Sequence, residues 1–580
     1  MAADAMTTPR TDHDVLRVER LGRAREHILI GLIMAGALVL RLLGVGRGLP
    51  YLHEWDEWFQ LPPVIKMVLY HTLNPGIFIY GSLYYYLLLP VVYAHFLYLH
   101  AAGVIKSFDD VVLTHPLIPG YGWYINLPSF YVWARAATAL LGAATVYLTY
   151  RLGRAAFGRP VGVLAAALLA VAPGAVYYAD TVRVDVPVAF FSTAALLAGL
   201  GVLRRGRRRD YLVAGLLAGL AISTKQTAVW VVPALLIAHA CNGRRTAFVD
   251  GPLGLMIAGI IAGGLLGTPY LLIRPDLVWA GFNAQVGTYG VLALPRPRVY
   301  LHHLSFFLAY LLWPTQGGDW YVVPHAGFGL APGIAAVAGL AVGFRERPRV
   351  QAYLVAFPVL LLLFLGRANV YYTRNLAPVL PIAAICAAAG GVWIWQAVTS
   401  VRPLPAAGPV WHASWRAAVA AAGIVVLLIG PVRESAALAW WLNRHEDTRT
   451  QAVRWLLGHV PRGAGVAFEL ELAWFLPSLD GLPFRMQWTD RQTPLAWYAK
   501  SRIDYAVVSE WNPVNACPTI ALVSRPPYLP TVAEEAAFVP NSFPVIDPTV
   551  VVIRPRAPCP WAAPLADVIP AGAPAVRLTP

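Results

Sequence analysis

The chain has 580 residues, 58% of them hydrophobic and only 13% charged, with a formal net charge of +15 and a mean hydropathy of +0.57. A soluble domain carries about 25% charged residues, so this composition cannot cover a water-facing surface and points to a polytopic membrane protein. The arginines sit in short clusters between apolar runs, the pattern of cytoplasmic loops, which argues against nucleic acid as the partner of the positive charge.

The N-terminal segment holds Arg10, Arg17, Arg20, Arg23 and Arg25, which places residues 1–27 in the cytoplasm by the positive-inside rule. The first apolar run begins near His27 and lacks a small-residue cleavage motif, so no cleavable signal is expected. A first span is predicted over 28–46, followed by an outer loop over 47–130. Within that loop, residues 81–103, "GSLYYYLLLPVVYAHFLYLHAAG", are rich in Tyr and His and contain Pro90. As a span they would put every later basic loop on the wrong side, so they are read as a helix lying at the interface, where aromatic belts form.

A second span over 131–150 then returns to "RLGRAAFGR" inside, and a third over 161–179 ends outside at "YYADTVRVD". The fourth ends inside at "RRGRRRD", the fifth outside at "STKQTA" and the sixth inside at "CNGRR". A seventh over 253–272 opens into a long loop with "HHLSFF", and an eighth returns to "FRERPR". The ninth exits to "GRANVYYTRN", the tenth returns, and the eleventh, over 416–431, exits last. Breaks carrying three or more arginines all fall inside under this threading, which gives about eleven spans of bilayer length. Residues 432–580 form the outer tail. There "DTRTQAVRWLLGHVP" reads as a helix, and "GVAFELEL", "DYAVVSEW" and "PTVVVIRP" read as strands. A small extracytoplasmic α/β domain follows. Of the four cysteines, Cys241 and Cys386 lie in apolar segments. Cys517 and Cys559 lie in the tail, where a disulfide and two free thiols are equally open readings.

Ionisable groups at a membrane edge are costly and usually functional. The threading leaves a distinct set outside: Glu54, Asp56 and Glu57 in "YLHEWDEWFQLPP", Arg183 and Asp185, Lys225, Arg367 and Arg374. Carboxylates suit a general base, and Arg and Lys suit a phosphate. The set therefore fits a reaction that deprotonates a hydroxyl and expels a phosphate. Each residue also has a structural alternative. Asp56 and Glu57 would suit a helix N-terminus, Asp185 would pair with Arg183, and Lys225, Arg374 and Arg367 would snorkel to headgroups. Trp55 and Trp58 would anchor at the interface or platform a sugar. His302 and His303 have no third ligand in the sequence, which favours a structural role, and no metal-ligand spacing is apparent. No metal or cofactor is expected. A secondary transporter is the competing class, but transporters show internal repeats and midplane charges, and a membrane scaffold would leave the clustered charges without a purpose.

The Asp56-Glu57 pair just after the first span resembles the first outer loop of GT-C glycosyltransferases. The likeness is to the bacterial protein O-mannosyltransferase-like family, which includes the aminoarabinose transferase of lipid A. "LNPGIFIYGSLYYYLL" is similar to that family's Asn-Pro and Tyr-rich helix along the membrane. "FGRPVGVLAAALLAVAPGAVYYADTVRVDVPVAFFSTAALL" resembles its next block, including Asp185. "GLLAGLAISTKQTA" and "YYTRNLAPVLPIAA" are similar to the blocks that carry Lys225 and Arg374. "DTRTQAVRWLLGHVPRGAGVAFE" resembles the start of the extracytoplasmic domain in some members. The extra Glu54 and the Trp-rich setting of the pair depart from the family pattern.

The resemblance implies a mainly α, GT-C-type membrane protein with a catalytic domain over 28–431. The implied donor is one sugar on a polyprenyl phosphate. The sugar passes, with inversion, to a hydroxyl of a glycan, lipid or protein acceptor outside the cytoplasm of a prokaryotic cell, with membrane lipids around. The catalytic candidates are Asp56, Glu57 and Asp185. Lys225, Arg374 and Arg183 are candidates for the donor phosphate, and Glu54, Trp55 and Trp58 for the acceptor or sugar.

Overall fold

A computed structural model describes residues 12–49, 56–114, 124–242, 251–290, 297–314, 325–368, 370–400, 409–444, 454, 456–469, 483–489, 497, 500–510, 532–538 and 549–555. The architecture is mainly helical, as expected. Helix α1 (Asp12–Leu42) leads into turns to 49, then α2 (Glu57–Leu69), α3 (Leu83–Ala101), a short antiparallel ladder of β1 (Leu113–Thr114) with β2 (Tyr124–Ile125), and α4 (Ser129–Phe157). Next come α5 (Arg159–Ala170), α6 (Pro173–Tyr177), α7 (Asp185–Arg204), α8 (Arg208–Thr224), α9 (Val231–Cys241), α10 (Pro252–Gly267), α11 (Tyr270–Ile273), α12 (Pro275–Tyr289) and α13 (Pro297–Leu312). The membrane part ends with α14 (Leu330–Glu346), α15 (Pro348–Gly366), α16 (Leu380–Ser400) and α17 (Pro409–Arg444).

The apolar runs expected to span fall on helical segments, the one over 161–179 being divided between α5 and α6, and the aromatic stretch 81–103 contains a helix, α3. By length and hydropathy four described helices qualify to cross a membrane, or five if the pair α5 and α6 is one bent span. That pair breaks by 59°, where the backbone passes Val171-Ala172 into Pro173, a ring that pre-sets a new helix start. Two further apolar segments, Gln226–Cys241 and α10, are shorter, and α10 packs closely on α8. Gly215 and Gly219 of α8 face Gly259 and Gly263 of α10, and a methyl on any of them would strike the partner's backbone. Small residues at this seam let the two backbones meet, the usual solution where lipid supplies no hydrophobic drive. Outward faces are apolar and open, for example Ile28, Leu32 and Val39 on α1 and Val425, Val426 and Ile429 on α17. Helices of this length with such faces are held in a bilayer.

Among the described residues two large cores stand out. The larger spans α4, α5, α7 to α10 and α14 to α16. The smaller gathers Trp58, Leu61, Ile65, Tyr84, Tyr85, Phe130 and Tyr131 from α2, α3 and the start of α4. The described residues between α1 and α4 thus form a folded layer with its own aromatic core, packed on the first turns of α4.

The tail differs in detail from expectation. The boundary expected at 431 falls inside α17, which continues through Pro431 to Arg444. Of the expected tail helix, 456–459 are helical. Strands β3 (Gly465–Glu469), β5 (Tyr505–Glu510) and β7 (Thr549–Pro555) match the three expected ones. Two more appear, β4 (Arg485–Thr489) and β6 (Val532–Phe538), giving a mixed sheet of order β4-β3-β5-β7-β6. β3 runs parallel to β4 and β5, whereas β7 is antiparallel to β5 and β6. The two unexpected strands are the sheet's edges. "VAEEAAF" has helical propensity, and its pairing with β7 overrides that preference. Cys517 and Cys559 lie outside the described residues.

Candidate active site

Asp56 occupies the N-cap position of α2, but its side chain makes no cap hydrogen bond. Its Oδ2 instead takes Nη1 of Arg183 at 3.1 Å and lies 3.2 Å from Nε of Arg374. The helix-cap alternative is therefore not what holds this carboxylate. Among the described residues its Oδ1 accepts no hydrogen bond, and the side chain keeps a small opening to solvent.

A second ion pair lies alongside. Lys225 Nζ donates to Asp185 Oδ1 at 2.6 Å and to Asn375 Oδ1 at 2.6 Å. Local backbone chemistry favours both partners. Asp185 opens α7, where the helix dipole welcomes an anion, and Lys225 ends α8, where it welcomes a cation. Asp185 thus pairs with Lys225 from a distant segment, and not with its sequence neighbour Arg183. Because Asn375 follows Arg374 directly, the 3₁₀ turn Thr373–Val379 touches both ion pairs. The same turn is bonded to the Arg183 segment through Tyr178 and Thr373, whose hydroxyls are 2.6 Å apart.

Aromatic groups surround these charges. Tyr178 lies under Arg183, Tyr372 under Arg374 and Tyr80 beside Lys225, at 5.6, 4.1 and 5.7 Å from the ring centroids. Tyr289, the last residue of α12, donates to Asn375 Oδ1 at 3.1 Å. Burial, reinforced by the charge of Asp56, pushes the Tyr80 phenol well above its ordinary value.

Glu57 plays a different part from its neighbour. It is 0% exposed, and Arg135, 1% exposed, grips it with Nε to Oε1 at 2.7 Å and Nη2 to Oε2 at 2.6 Å. Oε1 also accepts the backbone N–H of Val182 at 2.8 Å. The other arm of Arg135 donates to the carbonyls of Val45 and Arg47. One buried pair thereby ties the exit of α1, the start of α2, α4 and the loop that presents Arg183. Both Glu57 oxygens are hydrogen-bonded within the protein, and the side chain is fully buried.

The structure brings Asp56, Asp185, Lys225, Arg183 and Arg374 together, from four separate parts of the chain. Trp58 is 2% exposed and packs in the smaller core, so it is no open sugar platform. Glu54 and Trp55 lie outside the described residues. Arg367 is exposed at the end of α15 and stands outside the cluster. The His303 ring packs against Tyr371 at 4.7 Å, tilted by 33°, with His302 alongside. Among the described residues no group of three or more His, Cys, Asp or Glu side chains could hold a metal ion. Sequence reading missed Arg135, Asn375, Tyr80 and Tyr289. Only Arg135 carried a signal, as a lone arginine at the edge of an expected span.

Residues 129–263 match the profile of the family described as dolichyl-phosphate-mannose-protein mannosyltransferase. That segment carries Arg135, Arg183, Asp185 and Lys225. Among solved structures, ArnT from Cupriavidus metallidurans in the apo state superposes with a TM-score of 0.50 at 14% identity, over 90% of this chain and 97% of that one. The chain has the GT-C glycosyltransferase fold. The structure of ArnT from Cupriavidus metallidurans bound to undecaprenyl phosphate is similar with a TM-score of 0.49 at 13% identity, over the same shares. The oligosaccharyltransferase AglB from Archaeoglobus fulgidus is similar with a TM-score of 0.49 at 13% identity, over 84% of this chain and 70% of that one. A search of curated protein sequences finds no match. The segment match and the GT-C fold agree with the resemblance read from the sequence, that of a membrane glycosyltransferase.

Proposed function

We propose that this glycosyltransferase moves a single sugar from a polyprenyl-phosphate carrier to an acceptor hydroxyl, on the extracytoplasmic side and with inversion. The observation that supports this most is the shared buried cluster of a partly open carboxylate, Asp56, with Arg183, Arg374 and Lys225. A base and a set of phosphate-binding cations within one cluster are what the transfer demands. The family description, with its dolichyl-phosphate-mannose donor, supports the lipid-phosphate class.

In this reading the acceptor oxygen attacks the anomeric carbon and forms the new glycosidic bond as the bond from that carbon to the phosphate oxygen breaks. Asp56 Oδ1 takes the acceptor's proton, and the electron pair leaves with the polyprenyl phosphate. Arg183, Arg374 and Lys225 stabilise the charge that grows on that phosphate. An arriving phosphate competes with Asp56 for the two guanidiniums, releasing the carboxylate to work on the acceptor. Asp185 holds Lys225 toward the site, and Glu57, through Arg135 and Val182, holds the Arg183 loop. The lipid tail stays in the bilayer, which is why the site sits on a many-helix scaffold.

Asp56→Asn keeps the shape and removes the base. Transfer from a radiolabelled prenyl-phosphate sugar in membranes should fall by about 10²- to 10⁴-fold, the span of general-base contributions, with the protein still folded. Transfer at the wild-type rate would end the assignment.

A further inference from the structure

Asn375 belongs to no role so far described. It is 3% exposed, and its Oδ1 receives Lys225 Nζ at 2.6 Å and the Tyr289 hydroxyl at 3.1 Å. An ammonium group has only hydrogens to offer, so the amide atom facing Lys225 must be the oxygen. That contact sets the orientation of the amide, which is otherwise ambiguous. Its Nδ2, with two N–H groups, is consequently buried and meets no hydrogen-bond acceptor among the described residues. Buried amide donors are rarely left so in folded proteins. The ammonium and phenol pulling on the oxygen also polarise the N–H groups and strengthen them as donors. The neighbours are Arg374 in the chain and Lys225 in space.

We propose that Asn375 is a donor-phosphate ligand whose Nδ2 holds a phosphate oxygen of the lipid-linked sugar between Lys225 and Arg374. This rests on the donor class proposed above. The site would then read its anion with a neutral, directional donor as well as with cations, which fixes the orientation of the phosphate and so the line of attack. If Asn375 served only to hold Lys225, its oxygen alone would matter.

Two substitutions separate these roles. Asn375→Asp keeps an oxygen for Lys225 and Tyr289 and exchanges the N–H groups for a second oxygen. Asn375→Ala removes both ends without adding charge. Binding of undecaprenyl phosphate, with undecaprenol as the control, is measured by titration of the full chain in nanodiscs, and the unfolding midpoint is taken for each variant. Wild type should prefer the phosphate. Both variants should lose affinity for it by tenfold or more, Asn375→Asp the more, with undecaprenol binding unchanged.

Retained phosphate affinity in Asn375→Asp overturns the proposal in favour of the Lys225-holding role. Retained affinity in Asn375→Ala overturns it as well, since loss in the aspartate variant alone is a charge effect. Where Asn375→Asp fails to fold, retained phosphate affinity in Asn375→Ala still overturns the proposal. If Lys225→Ala and Arg374→Ala weaken phosphate binding while neither Asn375 variant does, the donor reading stands and this inference falls. If wild type binds undecaprenyl phosphate no better than undecaprenol, both fall.

Discussion

The pair Glu57–Arg135 offers the sharpest test of how the site is built. Both side chains are buried, and Glu57 receives three hydrogen bonds, two from Arg135 and one from the Val182 backbone. Glu57→Gln keeps an oxygen for Val182 and for Arg135 Nε, but its amide then confronts Arg135 Nη2, donor against donor. It also leaves the guanidinium buried without a countercharge. Removing one partner of a buried pair costs about 3–5 kcal/mol, whereas replacing both by apolar groups is often neutral or better. Glu57→Gln or Arg135→Met alone should therefore lower the folding constant by roughly two to four orders of magnitude. The combined variant should be more stable than the sum of the two losses implies, with a coupling of at least about 2 kcal/mol. Denaturant unfolding of the full chain in detergent, followed by tryptophan fluorescence, measures all four corners of the cycle. Donor titration of the single variants should show weaker binding as well, because Val182 precedes Arg183. Single variants within about 0.5 kcal/mol of wild type, or strictly additive losses, would refute the claim that this pair frames the site.

Gly81 lies against the Ser223 backbone, two residues before Lys225, and a methyl there would collide with the Ser223 carbonyl. Gly81→Ala should cost about 1–3 kcal/mol through overpacking and raise the donor KM by displacing Lys225; an unchanged unfolding midpoint and KM would show that the two segments are not coupled. Orientation is tested with Lys500→Cys in a chain whose native cysteines are replaced. Lys500 is exposed in the tail, so a membrane-impermeant maleimide added to intact spheroplasts should label it, and labelling only after lysis would reverse the proposed topology.

Much of this protein can be read directly from its residues, because the relevant physics is local. Bilayer-length apolar runs announce α7, α15, α16 and α17, and arginine clusters mark the breaks between helices. The acids and cations stranded at those breaks, Asp56, Asp185, Lys225, Arg183 and Arg374, are recognisable because an ionisable group beside lipid is expensive unless it has a use. Strands β3, β5 and β7 show because short β-branched runs between Gly and Pro have few other options.

Pairing is a different matter. Nothing near Asp185 in the sequence says that its partner is Lys225 and not Arg183, two residues away; the choice follows from how α7 and α8 pack. Glu57 and Asp56 are neighbours with the same chemistry in prospect, yet one is enclosed by Arg135 and the other opens toward the site, because α4 passes on one side of the α2 start only. Asn375 and Tyr289 have no local signature at all. Their importance comes from Asn375 meeting Lys225 across 150 residues of chain and Tyr289 meeting Asn375 across 86, and edge strands β4 and β6 exist only because a neighbouring strand offers its hydrogen bonds. Hydropathy and charge act within a few residues, whereas contacts between distant segments depend on the simultaneous burial of all of them, and so are decided only when the whole chain has folded.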